Sequence, residues 1–210
     1  MKTISWITPD YFIDVDLPII DKLSTSFNIN WLIIIHNNSS IDYERFVKEN
    51  INNKDKINIT FHYLRYRLSS PKTIIILHRI IKKAKSYKPN LYYLSYSGMP
   101  YGICLYKLLL PTKKCVIACH NVTTPKGATS EKFAALYTNW WLSSFKNIQV
   151  FSKGQYKALT DKYQRKNILM APLAIKDYGE PERIYDKTNT SPIRFLFFGN
   201  IVHSNVFLFY

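Results

Sequence analysis

The chain has no apolar run approaching the roughly 18 to 20 residues that a membrane-spanning helix needs; WLIII and LYKLLL are short and closely flanked by polar groups. Its first residues, MKTISWITPDYFIDVD, meet aspartates too early for a secretory leader, and a cytoplasmic protein is the expectation. Cysteine is sparse and odd in number. Cys104, Cys115 and Cys119 do not read as a disulfide set, and Cys115 and Cys119 are separated by three residues where zinc knuckles use two, so buried thiols are expected. Four signatures are missing altogether: GxGxxG, the Walker phosphate loop, HExxH and the GxSxG nucleophile elbow. No motif by itself announces an enzyme. Carboxylates are few, 14 against 29 Lys and Arg, for a net charge of +15. That excess favours phosphate-bearing partners, whether nucleic acid, anionic lipid or a nucleotide-linked substrate. Because only seven of the basic residues are Arg and the chain is rich in Ile and Asn, compositional bias is an equal explanation.

What is present is the patterning of a folded domain. At 210 residues the chain has room for one good core and a small second domain, and 47% hydrophobic with 20% charged residues excludes wholesale disorder. Strand-like runs recur at Lys2–Thr8, Asn30–Ile35, Ile57–Tyr63, Leu91–Ser95, Lys114–Cys119, Asn147–Phe151 and Asn167–Ala171. Most are Ile- and Val-rich without clean alternation, as strands buried on both faces are. Helical segments fall between them. Pro18–Phe27 has Pro near its first turn with Asp14 and Asp16 just upstream, and Lys72–Tyr87 gathers Ile74, Leu77, Ile80, Ile81 and Ala84 on one face. Thr129–Ser144 and Lys153–Tyr163 follow. The pattern is α/β: a Rossmann-like parallel sheet with helices on both faces. The basic face of the Lys72 helix could meet an anionic membrane, although a solvated face on a sheet-packing helix accounts for it more simply.

One composition shift divides the chain. Lys176–Pro192, KDYGEPERIYDKTNTSP, reads as an exposed linker after a first domain spanning 1–175, and IRFLFFGNI (Ile193–Ile201) reads as the first strand of a second domain within 193–210.

In this order the segments KCVIACHNV, IQVFSKGQYKAL, MAPLAI and IRFLFFGNI resemble the N-terminal half of a glycosyltransferase of the two-domain GT-B architecture, specifically the family 4 type. DYFIDVDLPII, Asp10–Ile20, resembles the first strand-to-helix turn of some bacterial members, without the glycines that many carry there. The resemblance implies two Rossmann-like domains facing across a cleft. The first would bind the acceptor, a glycan or a lipid-linked group at the cytoplasmic membrane face, and the second the nucleotide-sugar donor. It also implies retention of anomeric configuration, the donor as substrate rather than a resident cofactor, and usually no metal.

Candidate site residues lie where strands end, because open parallel sheets bind ligands at the carboxyl ends of their strands. His120 ends the fifth strand and resembles the family's cleft histidine, which hydrogen-bonds a sugar hydroxyl or stabilises developing charge. The plain alternative is a loop residue bonded to nearby backbone. Asn121, Thr123 and Thr124 follow it and could reach substrate, or simply build turns. Asp10 could meet an acceptor hydroxyl or serve helix-entry electrostatics, and Ser152 could place an anion at a helix N-terminus or only cap it. His36 also ends a strand and is read as a loop residue.

The ten residues after Asn200 are too short for a further crossover unit. The expectation is therefore a truncated, inactive fragment whose last residues, from about Ser204, come from a shifted or interrupted frame. Two other readings stand beside it. One is a basic nucleic-acid-binding module, though aromatics and lysines read more simply as core and surface. The other is an acceptor-domain subunit that needs a separate donor-binding chain.

Overall fold

A computed structural model of the chain describes residues 1–36, 41–67, 70–95, 99–123, 131–163 and 167–172. The linker at 176–192, the final strand-like run and Thr124 lie outside the described residues. Seven strands form one sheet: β1 (Thr3–Pro9), β2 (Asn28–His36), β3 (Ile57–Leu64), β4 (Leu91–Leu94), β5 (Cys115–Cys119), β6 (Asn147–Val150) and β7 (Ile168–Met170). Their order is β3-β2-β1-β4-β5-β6-β7, and every neighbouring pair is parallel. Helices α1 (Ile13–Leu23), α2 (Tyr43–Asn50), α3 (Pro71–Ser86), α4 (Met99–Leu109), α5 (Glu131–Ser144) and α6 (Lys153–Tyr163) cover both faces. None is long and apolar enough to cross a membrane among the described residues.

The lack of alternation in β2 has a direct cause. Successive side chains point to opposite faces of a sheet, and here both faces are covered. Leu32 and Ile34 join the core beneath α3, α4, α5 and α6, with Leu77, Ile80, Ile103, Trp141 and Leu159. Trp31, Ile33 and Ile35 join the opposite core beneath α1 and α2, with Ile13, Leu17, Ile20 and Val47. In register, Trp6 of β1 is flanked by Trp31 and Tyr93, and its ring stacks on Tyr93 at 3.7 Å between centroids.

All seven strands lie within two residues of where the sequence places them, but the helices need correction. α1 begins at Ile13 rather than Pro18, because a short 3-10 turn at Asp10–Phe12 carries the chain from β1 straight into the helix. Pro18 thus lies inside it. Its missing N–H leaves the carbonyl of Asp14, an exposed residue, for water, and Asp14 and Asp16 stand in the first turn itself. α3 starts with Pro71 at its first turn and Ser70 as N-cap, and its buried stripe is Thr73, Leu77, Ile80, Ile81 and Ala84. Ile74 faces solvent instead, because the hydroxyl of Thr73 donates 2.9 Å to the carbonyl of Arg67 and turns that position inward. α2 and α4 were not anticipated.

Candidate functional site at the carboxyl edge of the sheet

The strand order turns back between β1 and β4, so the connections leaving these neighbours pass to opposite faces and open a crevice at their carboxyl ends. Five connections bring side chains to that edge. Asp10, Tyr11 and Phe12 follow β1, His36 ends β2, Ser95 follows β4, His120 and Asn121 follow β5, and Phe151 and Ser152 follow β6.

Rings dominate the edge. Tyr11 stacks on His36 at 5.8 Å between centroids and meets Phe12 edge-on at 4.7 Å. Phe12 lies flat on His120 at 3.8 Å, and Phe151 covers the other face of the same imidazole at 4.5 Å. A continuous row therefore runs His36, Tyr11, Phe12, His120, Phe151 across β2, β1, β5 and β6.

His120 is held between two phenyl rings, and this burial pushes its pKa down to about 4. Charging the imidazole would require solvation that the rings prevent. At neutral pH it is uncharged, with one ring nitrogen donating and the other accepting. Its Nε2 is buried and has no hydrogen-bond partner among the described residues. Beside it opens a cavity of about 220 Å³ lined by Tyr11, Phe12, Ser95, Asn121, Tyr137 and Trp141 among others, none of them charged. A buried polar atom normally has a partner, which makes this nitrogen the candidate polar contact at the cavity.

Gln155, which sequence reasoning missed, holds this arrangement together. Its side-chain N–H donates to the His120 carbonyl, its Oε1 accepts the Phe151 N–H at 3.1 Å, and its own backbone N–H donates 3.2 Å to Ser152 Oγ. One amide thus ties the β5 and β6 connections to the start of α6.

The other sequence-derived residues separate into distinct roles. Asn121 is exposed and lines the cavity; Thr123 is exposed and does not line it. Ser152 caps α6 through the hydrogen bond from Gln155. Asp10 is buried, and its carboxylate turns to His36: Oδ1 meets the imidazole Nδ1 at 2.7 Å, and Oδ2 accepts the His36 N–H at 2.9 Å. Oδ1 also accepts the Tyr11 N–H at 3.0 Å. His36, read from sequence as a loop residue, is the final residue of β2 and the partner that orients Asp10.

Behind the edge, Asp16 on α1 lies 3% exposed beneath β1. Its Oδ2 accepts 2.7 Å from Thr8 Oγ1 and 2.9 Å from Trp6 Nε1, and Thr8 in turn accepts 2.9 Å from Trp31 Nε1. Burial raises its carboxyl to about 6 against the lowering effect of these hydrogen bonds. Burial also pushes the thiols of Cys115 and Cys119 up to about 12 and 11, so both stay protonated and unreactive. Cys104, expected to be buried, is exposed on α4. No group of three or more metal-binding side chains comes together among the described residues.

No protein-family model matches the sequence, and no curated protein sequence matches it significantly. Solved structures do match the fold. MurG from Acinetobacter baumannii is 12% identical, with a TM-score of 0.50 over 85% of this chain and 47% of that one. UDP-GlcNAc 2-epimerase from Neisseria meningitidis, bound to UDP-GlcNAc, is 9% identical, with a TM-score of 0.53 over 81% of this chain and 46% of that one. A UDP-glucosyltransferase from Polygonum tinctorium capable of glucosylating indoxyl is 10% identical, with a TM-score of 0.55 over 87% and 55%. The fold is the Rossmann-like half of a GT-B architecture, and the chain spans about half the length of the structures it matches.

Proposed function

We propose that this chain forms the acceptor side of a nucleotide-sugar glycosyltransferase of the retaining, family 4 type. The donor would be a nucleotide-sugar, and the acceptor a glycan or a lipid-linked group. One observation carries the reading: the uncharged His120, sandwiched between Phe12 and Phe151, has a buried, unpartnered Nε2 beside an uncharged cavity at the carboxyl edge of the sheet. A sugar ring suits such walls, because its C–H face packs on aromatic rings while its hydroxyls take hydrogen bonds from groups such as Nε2 and Asn121.

The electrostatics narrow the part His120 can play. A group with a pKa near 4 is a poor proton acceptor at pH 7, and its uncharged ring brings no full positive charge to a leaving diphosphate. Hydrogen bonding remains, and with it the orientation of a hydroxyl near the reacting centre. In the transfer the acceptor oxygen bonds the anomeric carbon as that carbon's bond to the diphosphate breaks, and the acceptor proton passes to the departing diphosphate oxygen, where negative charge develops. His120 positions; it does not carry that proton away.

Saturation-transfer NMR on the purified chain with a panel of short oligosaccharides and UDP-sugars tests the assignment. We expect saturation of at least one oligosaccharide, lost in His120→Ala and kept in Thr123→Ala. Oligosaccharide saturation unchanged by His120→Ala, or absent throughout, would overturn the site.

A further inference from the structure

The net charge is not spread over the molecule. Residues 56–130 contain thirteen Lys and Arg and no Asp or Glu, so this stretch holds nearly all of the +15. It includes β3, α3, β4, α4 and β5, and α3 and α4 pack side by side over one core of the sheet. Among the described residues no ion pair engages either helix; those between Lys or Arg and a carboxylate are Arg45 with Glu49 and Lys48 with Glu44, both on α2. The cations of this face therefore meet no carboxylate among the described residues. Lys72 and Lys83 lie over the rings of Tyr66 and Tyr87, at 5.0 Å each, which leaves their charge intact.

Between the two helices lies a second cavity, about 440 Å³, lined by His78, Lys82, Lys85, Ser86 and Leu109. The same helices also expose aliphatic side chains: Ile75 is 54% and Leu108 81% exposed, with Ile74 at 36%. A solvated lysine-rich face gains nothing from exposed Ile and Leu, and a nucleic acid meets such a surface chiefly through its phosphate and sugar backbone rather than through an aliphatic layer. A bilayer surface suits both features, because headgroup phosphates attract the cations while the boundary with the acyl chains takes the aliphatic groups.

We infer that the α3–α4 face docks on an anionic phospholipid surface, with headgroup phosphates entering the cleft at Lys82 and Lys85 and with Ile75 and Leu108 reaching the acyl boundary. This surface is separate from the His120 cavity and stands or falls without it. Each Lys or Arg near an anionic surface strengthens binding by about fivefold, an attraction that falls off within a Debye length.

The test is sedimentation of the full chain with sucrose-loaded vesicles of phosphatidylcholine alone or with about 30% phosphatidylglycerol. We expect binding to the anionic vesicles only, weakened as salt rises. Lys82→Ala with Lys85→Ala should lower the partition coefficient about 30-fold, and Ile75→Ser with Leu108→Ser about tenfold or more. Lys22→Ala with Lys48→Ala removes the same charge from α1 and α2, on the opposite face of the sheet, and should change it less than about threefold. Three results would overturn the inference: equal binding to uncharged vesicles or none to either, equal loss in the α1–α2 variant, or displacement by random-sequence RNA with the Ile75 and Leu108 variant unaffected. The last result would assign the face to nucleic acid. The sugar-binding measurement is independent of all three.

Discussion

Asp16 and His120 titrate in opposite senses over the same acid window, so replacing either one uncovers the other. Burial holds the Asp16 carboxyl at about 6, whereas an unfolded aspartate loses its proton near 3.9. Between about pH 4 and 6 the folded chain holds one proton more at this site, and stability falls as pH rises. Burial pushes His120 down to about 4, and an unfolded histidine titrates near 6.5. Over nearly the same window the unfolded chain holds the extra proton, and stability rises with pH. The two slopes oppose each other. At about 1.4 kcal/mol per unit, the Asp16 window amounts to about 3 kcal/mol, and that of the less deeply buried His120, after solvent screening, to about 2 kcal/mol.

The assay is urea unfolding from pH 4 to 7.5 at fixed ionic strength, read as the difference between variant and parent. Asp16→Asn carries a constant offset from its altered hydrogen bonds to Trp6 and Thr8, but the difference should move in its favour by about 3 kcal/mol as pH rises across that range. His120→Phe should move the opposite way, gaining about 2 kcal/mol on the parent as pH falls. His62 is also pushed down, by burial and by Lys83; it is present in every protein compared and drops out of each difference. Parallel curves for Asp16→Asn and its parent would refute the reasoning.

Gln155→Leu removes the amide that serves both the His120 carbonyl and the Phe151 N–H; we expect a loss of about 1 to 3 kcal/mol in urea unfolding, with a shifted His120 ring resonance in NMR. Lys88 has φ 47° just past the end of α3, where glycine carries no side-chain penalty, so Lys88→Gly should gain about 0.5 to 1 kcal/mol in a thermal melt. A thiol reagent at pH 8 should modify one cysteine rapidly in the native chain, Cys104, and all three in denaturant, since Cys115 and Cys119 are buried and protonated. Rapid modification of two or more without denaturant would count against that burial.

The strands were legible because burial on both faces leaves a mark in composition: a run such as NWLIII has no other economical use in a chain this polar. α2 was not legible, since YERFVKEN is short and charged with Val47 as its one buried residue. α4 carries Pro and Gly near its start, residues that ordinarily count against a helix interior. Pro18 misled for a related reason. Proline is commonest at a first turn, but a 3-10 turn had already opened α1 upstream.

For the candidate site, the sequence by itself determined where the strands end and hence that His120 stands at the carboxyl edge of the sheet. Strand ends follow from hydrophobic patterning, which is local. Only the tertiary structure decided what surrounds that histidine. Phe12, Phe151 and Gln155 reach it from other connections, and Asp10 finds His36 from 26 residues away. These contacts follow from the order β2-β1-β4-β5-β6, which sets neighbours by sheet pairing rather than by separation along the chain. Desolvation, and with it the uncharged state of the imidazole, arises from that assembled environment and has no counterpart in the local sequence.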